Sequence, residues 1–401
     1  MTIKPLSGIK VLDCTQVFAG PFATYQLALL GAEIIKVEPI GRGDTLRGYY
    51  HGSGAGNQMS GSFVAINSGK RSIALDIKSE EGKRIFRALV AASDVLVENF
   101  RSGVMERLGF GWDDCRSINP KLIYASLSGY GATGPNASHP ALDHIIQAAS
   151  GMMSLNGQAD ADPVKVGFPV IDSFAGYVAA FGVMAALLQR GHTGEGQRVD
   201  VGMLDVAMVL MTSMVVPYHN AGTEPPRLGN RGYSGSPTSD LFRTGDGNIS
   251  IGANGPGHFE KLCDAIGASH IYGDPRFATP AARIENTPAL RAEIESALAA
   301  RSAEEWEPVI AAAGVPAAKL RTVSEALGNP QLKSRSLVQT VPLAAGKADP
   351  VTVLNLGFEA SWESGAKEPS PLLGEHSDAI LESLGYDASA IAQLRTLGVI
   401  G

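Results

Sequence analysis

Over the first 130 residues, short runs rich in Val, Ile and Leu alternate with longer helix-patterned segments, and that alternation leaves few folds open. Strands are expected at 8–15, 33–37, 71–77, 94–97 and 122–127. A helix is expected at 21–30, with Pro21 in its first turn, where a missing N–H costs nothing, and Gly31 as its stop. A second helix opens at Ser79, with Glu80 and Glu81 in its first turn to favour the positive end of the helix dipole. Strands separated by helices predict an α/β fold, with a parallel sheet covered on both faces.

Further along the pattern changes. From 141 to about 218 it is predominantly helical, and 206–216 is almost wholly apolar. The stretch 222–239 is rich in Gly, Pro, Arg and Ser and reads as a linker leading to a loop. A compact αβ segment follows, with a strand at 248–253 and helices near 258–265 and 303–313. Past Asn329 the chain is loop-rich, with a strand at 351–356 and a helical end from about Ser377. The 401 residues, 44% hydrophobic, exceed one ordinary domain and predict a large domain plus a smaller one.

Charge and cysteine content narrow the function. A net charge of −7 argues against a nucleic-acid or anionic-membrane partner, since both need a basic footprint. Cys14, Cys115 and Cys263 are too scattered for a zinc or redox motif, as expected of a reducing compartment. The N-terminus runs straight into a strand pattern, and the longest apolar stretch, 174–188, falls short of the roughly 18 residues of a membrane span. A cytoplasmic protein with a buried apolar helix is the expectation.

Gly129-Tyr130-Gly131-Ala132-Thr133-Gly134 matches the GxGxxG dinucleotide pattern after a strand. Yet Pro135, Asn136, Ser138 and Pro140 delay the helix that must receive a pyrophosphate, so neither NAD nor flavin is expected. The eight histidines are scattered, the closest being His139 and His144, and no metal site is expected. There is no GxSxG elbow. The informative segment is VGFPVIDSFAGYVAAFGVMAALL at 166–188, where Asp172 directly precedes a long apolar helix. Such an Asp is an ordinary N-cap. The same N–H groups and dipole also favour an ionised carboxylate and an oxyanion forming beside it, which is the setting of a nucleophile.

Several segments together, VLDCTQVFAGPFATYQLALLGAEIIKVEP at 11–39, NSGKRSIALDIKSEEGK at 67–83, DVLVENFRSGVMERLGFGW at 94–112, INPKLIYASLSGYGATGP at 118–135, TGEGQRVDVGMLDVA at 193–207 and LGEHSDAIL at 373–381, resemble the family III CoA-transferases. That group includes the formyl-CoA:oxalate and L-carnitine CoA-transferases. The resemblance implies a Rossmann-like large domain spanning 1–221 and completed by a return segment, 329–401. A linker and glycine-containing loop at 222–239 and a small αβ domain at 240–328 complete the chain. It also implies a homodimer of interlocked rings. Asp172 falls on the family's nucleophile and Asp143 on its acidic neighbour. Phe18, Ala19, Leu75, Lys78, Asn99, Phe100, Arg101 and Arg107 fall on its coenzyme A contacts. Gly232, Tyr233, Ser234 and Gly235 fall on its glycine-rich active-site loop, which here departs from the GGGG form of the oxalate enzymes. Where relatives often hold Arg or Lys after the KVE strand, this chain has Pro39, leaving Arg42 and Arg47 as substitutes. The partners implied are an acyl-CoA and a small carboxylic acid such as succinate.

The chemistry is coherent, because only a nucleophile that itself becomes an acyl group can carry coenzyme A as a thioester. Three other readings compete. An α-methylacyl-CoA racemase on the same scaffold needs a His directly before the second acid, and here that residue is Leu142. A non-catalytic CoA-binding subunit would have no use for Asp172. A Rossmann oxidoreductase lacks its fingerprint context.

Overall fold

Charged residues at the ends of apolar strands, Asp13, Lys36 and Glu38 among them, mark where the chain folds its first sheet. A computed structural model of the chain describes residues 3–49, 59–255, 257–343, 350–366 and 368–401. It divides into two compact units, one of Met1–Met152, Val166–Pro217 and Pro330–Gly401, the other of Met153–Lys165 and Tyr218–Asn329.

The larger unit holds a six-stranded sheet. Its strands are β1 (Lys10–Asp13), β2 (Glu33–Glu38), β3 (Arg71–Ala74), β4 (Val95–Glu98), β5 (Ile123–Ser128) and β6 (Gln197–Gly202). All pair in parallel, in the order β3-β2-β1-β4-β5-β6. This is the doubly wound Rossmann order, with a switch point between β1 and β4. The five expected strands are present with shifted ends. β6 was not expected, since 141–218 reads as helical. Its QRVDVG run is only half-buried, so its alternation is polar and weak beside the Val/Ile runs of the central strands.

The Glu80–Ala91 helix is capped by Ser79, whose Oγ accepts from the Gly82 N–H at 3.1 Å. It buries Ile85, Phe86, Leu89 and Val90 together with Leu12, Leu96 and the C-terminal Ile380, Leu381, Ile391 and Leu394. The chain end is stitched beside β3, the Gly401 N–H donating to the Ala74 carbonyl at 3.1 Å.

The Ala19–Leu29 and Val170–Thr193 helices pack against each other. Gly176 permits this: a Cβ there would sit 2.8 Å from the Ala19 carbonyl oxygen and 2.7 Å from the Phe22 ring. The longer helix has the length and apolarity to cross a membrane. It was expected to be buried, but only one side is, through Ile171, Ala175, Ala179, Ala180 and Val183, while Phe181 is 70% and Leu188 71% exposed.

The second unit has its own core. Strands β7 (Ser239–Arg243), β8 (Asn248–Gly252) and β9 (Ala317–Lys319) form an antiparallel sheet. Phe242, Ile249 and Ile251 pack there against Leu262, Leu290, Ile294, Trp306 and Ile310 of the helices.

Candidate active site

A doubly wound sheet presents its ligands at the carboxyl ends of the strands, beside the switch point. At the end of β1, Asp13 is wholly buried. Its carboxylate accepts from the Thr15 N–H (2.9 Å), the Thr24 hydroxyl (2.7 Å) and Lys70 Nζ (3.0 Å). Lys36, equally buried, donates to the Thr15 carbonyl at 2.8 Å and pairs with Asp44 at 3.0 Å. Arg47 closes the set, donating to both oxygens of Glu38 at 2.8 and 2.7 Å and lying over the Phe63 ring. Three buried acids thus face three buried bases. Burial opposes the charge on Asp13, but Lys70, Lys36 and the threonine hydroxyls outweigh it and hold the carboxyl far below its usual range. Burial also brings Lys70 down to about 8.

This network fixes the loop after β1. Val17 takes a left-handed conformation, φ 67°, which is strained for a β-branched residue, and its N–H donates to Asp44 at 3.0 Å. Across the switch point, the Asn99 side chain pairs with the Gln16 backbone, accepting from its N–H and donating to its carbonyl, both at 2.8 Å. One residue earlier, Glu98 receives the Phe100 N–H at 2.9 Å and the Ser126 hydroxyl, and burial pushes its carboxyl up to about 7. The loops after β1 and β4 are therefore tied together by side chains acting as extra backbone.

They border a cavity of about 480 Å³ whose lining includes Gln16, Pro39, Arg42, Leu75, Lys78 and Phe100. Of the expected coenzyme contacts, Leu75, Lys78 and Phe100 line it. Phe18 stacks on Phe22, centroids 5.7 Å apart, and Phe22 meets Tyr177 edge-on at 5.1 Å. Ala19 is buried at the helix start. Asn99 is engaged by backbone, so its carboxamide serves the loop. Arg101 is exposed and Arg107 lies on the surface of the short Val104–Leu108 helix. Between the two substitutes for the missing base at Pro39, Arg47 is locked on Glu38, whereas Arg42 is exposed on the cavity wall.

Asp172 lies at the third position of the Val170–Thr193 helix. The cap expected of it is supplied instead by Asp143, whose Oδ2 accepts from the N–H of Ile171 (2.7 Å) and of Asp172 itself (3.1 Å). Relieved of capping, the half-buried Asp172 carboxylate meets no hydrogen-bond donor among the described residues. Burial, and then the Asp143 charge, push its pKa up to about 7. The position at a helix N-terminus predicts instead a fully ionised carboxylate. The difference arises because Asp143 occupies the N–H groups that would have kept it so.

In the GxGxxG-like loop the Ala132 N–H donates to Asp200 at 3.0 Å, so a carboxylate stands where a pyrophosphate would need donors. Among the described residues no three His, Cys, Asp or Glu side chains converge as a metal site would require. The 232–235 turn belongs to the second unit. The Gly232 N–H donates to Ser239 at 2.7 Å, the Ser234 hydroxyl to Asn254 at 2.9 Å, and Gly235 takes φ 70°.

The sequence model of CoA-transferase family III matches residues 6–377. An acetyl-CoA:oxalate CoA-transferase of Acetobacter aceti is 42% identical over 83% of this chain and 85% of its own. A succinate–glutarate CoA-transferase of Agrobacterium fabrum is 34% identical over 95% and 96%. The crystal structure of a CaiB/BaiF family protein from Brucella suis superposes with a TM-score of 0.86 at 33% identity, covering 96% of this chain and all of that one. On matches that span nearly its whole length, and with the doubly wound sheet in place, the chain belongs to CoA-transferase family III and is a CoA-transferase.

Proposed function

We propose that the chain moves coenzyme A between a donor acyl-CoA and a short carboxylic acid, with the Asp172 carboxylate as covalent relay. The observation that carries this reading is that Asp172 sits in the first turn of its helix with its carboxylate free of the capping role, which Asp143 performs. An acid held only for stability is engaged by donors; this one is engaged by none among the described residues.

In the first step a carboxylate oxygen of Asp172 attacks the thioester carbonyl. The C–S bond breaks, giving a mixed anhydride and the CoA thiolate. The thiolate then attacks the aspartyl carbonyl carbon, forming an aspartyl-CoA thioester and releasing the donor acid as its carboxylate. The acceptor carboxylate attacks that thioester, expelling thiolate and leaving a second anhydride. Attack of the thiolate on the acceptor's acyl carbon gives the new acyl-CoA and restores Asp172. Each step exchanges one acyl bond for another, which is how covalent catalysis divides a difficult transfer. The switch-point cavity suits the coenzyme: Leu75 and Phe100 offer apolar walls, and Lys78 and Arg42 offer charge for phosphates.

For the acceptor, the relatives' names favour a short dicarboxylic acid, oxalate in one and succinate or glutarate in another. An oxalate-directed relative at 42% identity keeps oxalate among the candidates, although the GYSG turn departs from the GGGG form. The exposed Phe181 and Leu188, two turns apart on one helix, support a second copy of the chain as the cover of this apolar face. Leu142, apolar and 60% exposed beside Asp143, gives the racemase reading no second base.

The test is to incubate the enzyme with acyl-CoA donors and quench with hydroxylamine or borohydride. The peptide carrying Asp172 is then weighed. A mass change on that peptide with any donor that supports turnover is expected; turnover with an unaltered peptide would remove the mechanism.

A further inference from the structure

We infer that Gln147 is a positioning residue for the transfer, holding the Asp143 carboxylate in the one orientation that presents Asp172. This rests on the reading of Asp172 as nucleophile. Gln147 lies one turn along the Asp143–Ala149 helix and is wholly buried. Its amide has one donor end and one acceptor end, and both are used. Nε2 donates to Asp143 Oδ1 at 2.5 Å, and Oε1 accepts from the Val166 N–H at 2.8 Å.

The other Asp143 oxygen holds the N–H groups of Ile171 and Asp172. Val166, Ile171 and Asp172 span seven consecutive positions that end on the nucleophile, starting where the chain re-enters the larger unit. One pair of side chains on a separate helix therefore anchors that whole approach. Three of its N–H groups donate to that pair.

Opposite a carboxylate at 143, only an amide satisfies this geometry. Leucine would take the Gln147 acceptor from the Val166 N–H and the Gln147 donor from Asp143 Oδ1, both in a part-buried place. Glutamate would keep the Val166 contact and set two carboxylates against each other. A swap repairs that fault. In the double variant Asp143→Asn with Gln147→Glu, the asparagine oxygen still takes the helix N–H groups, and its NH₂ donates to the new glutamate. Each single change breaks one contact, whereas together they rebuild the set with donor and acceptor reversed.

The experiment measures kcat and KM for the acyl-CoA donor in Q147L, Q147E, D143N and the double variant, with thermal melts of each. Misplacement of a reacting group by about 1 Å costs up to about 100-fold, so Q147L and Q147E are expected to lose about 10- to 100-fold in kcat. KM is expected to stay within about threefold, because the coenzyme cavity lies at the strand ends and Gln147 contributes nothing to it. The double variant is expected to regain about tenfold or more over Q147E, the non-additive signature of a coupled pair. Unchanged kcat in the folded single variants, or a double variant no better than Q147E, overturns the inference. Should Q147L fail to fold, the swap decides alone. The wild-type Asp172 peptide mass reports on the nucleophile separately, so either idea can fail without the other.

Discussion

Asp13 and Asp172 lie in the same compact unit, the first wholly buried and the second half-buried, and their surroundings treat them in opposite ways. Asp13 is given two threonine hydroxyls, a backbone N–H and a lysine, with a second lysine nearby, and is held ionised far below the usual carboxylate range. Asp172 is given no donor among the described residues and a like charge beside it, and is pushed up to about 7. The first arrangement builds a wall, fixing the strained loop at Val17 beside the switch-point cavity. The second leaves a carboxylate whose charge the fold does not compensate, the state that the proposed transfer to an acyl group would use. Buried acids divide into those the fold neutralises and those it leaves for chemistry.

The sharpest break of this comparison is to remove each charge in turn. Asp172→Asn is expected to lower kcat on the order of 10⁴-fold or more, since no other group carries the acyl bond, while the protein stays folded. A kcat within about tenfold of wild type would show Asp172 to be dispensable. Asp13→Asn should do the reverse, costing about 3–5 kcal/mol in a denaturant titration by leaving Lys70 buried and unpaired. A loss below about 1 kcal/mol would mean that the network is not what supports the loop.

What the sequence made legible follows the same division. The strands and the Asp172 helix are local patterns, and a run such as IKVLD or EIIKVE declares itself without knowledge of its neighbours. The edge strand β6 was missed because half its side chains face water and its alternation is polar. The cap on the Asp172 helix was misassigned because the residue that supplies it, Asp143, lies 29 positions away in sequence. Arg42 and Arg47 were indistinguishable as free cations until Glu38 was seen to hold one of them. The tie between the Asn99 amide and the Gln16 backbone is equally invisible in sequence, since it spans 83 positions. Clues were present in opposite charges set at the ends of apolar runs, at Asp13, Lys36 and Glu38. Which acid meets which base is a matter of tertiary contact.

The next effect is on pH dependence. Attack requires the ionised carboxylate, so kcat/KM should climb about tenfold per pH unit on the acid side and level off near the raised value, about 7. In Asp143→Asn the limb should move to lower pH, but only part of the way, because burial is the larger cause and the charge of Asp143 the smaller. A wild-type limb near 4 would mean that Asp172 is as well solvated as a free side chain, and the contrast with Asp13 would reduce to position alone.

The smallest effect, and the most direct reading of the contrast, is on stability. A carboxyl whose pKa rises on folding, here from 3.8 to about 7, binds its proton more tightly in the folded chain. Its contribution is therefore fully present below about pH 4, is lost as pH rises through that window, and is constant above it. The amide of the Asp172→Asn variant cannot titrate. Its unfolding midpoint should thus match wild type most closely at about pH 4 and exceed it by a few degrees at about pH 8, the gap opening between those values. For Asp13 the sign is opposite. Its pKa falls on folding, so wild type should keep its advantage over Asp13→Asn at neutral pH and lose it progressively as pH falls below about 4. Two Asp→Asn changes in one unit would then shift stability in opposite directions in mild alkali, one relieving a charge the fold tolerates for its reaction and the other removing a charge the fold depends on. Parallel losses in both would mean that Asp172 is a structural acid after all.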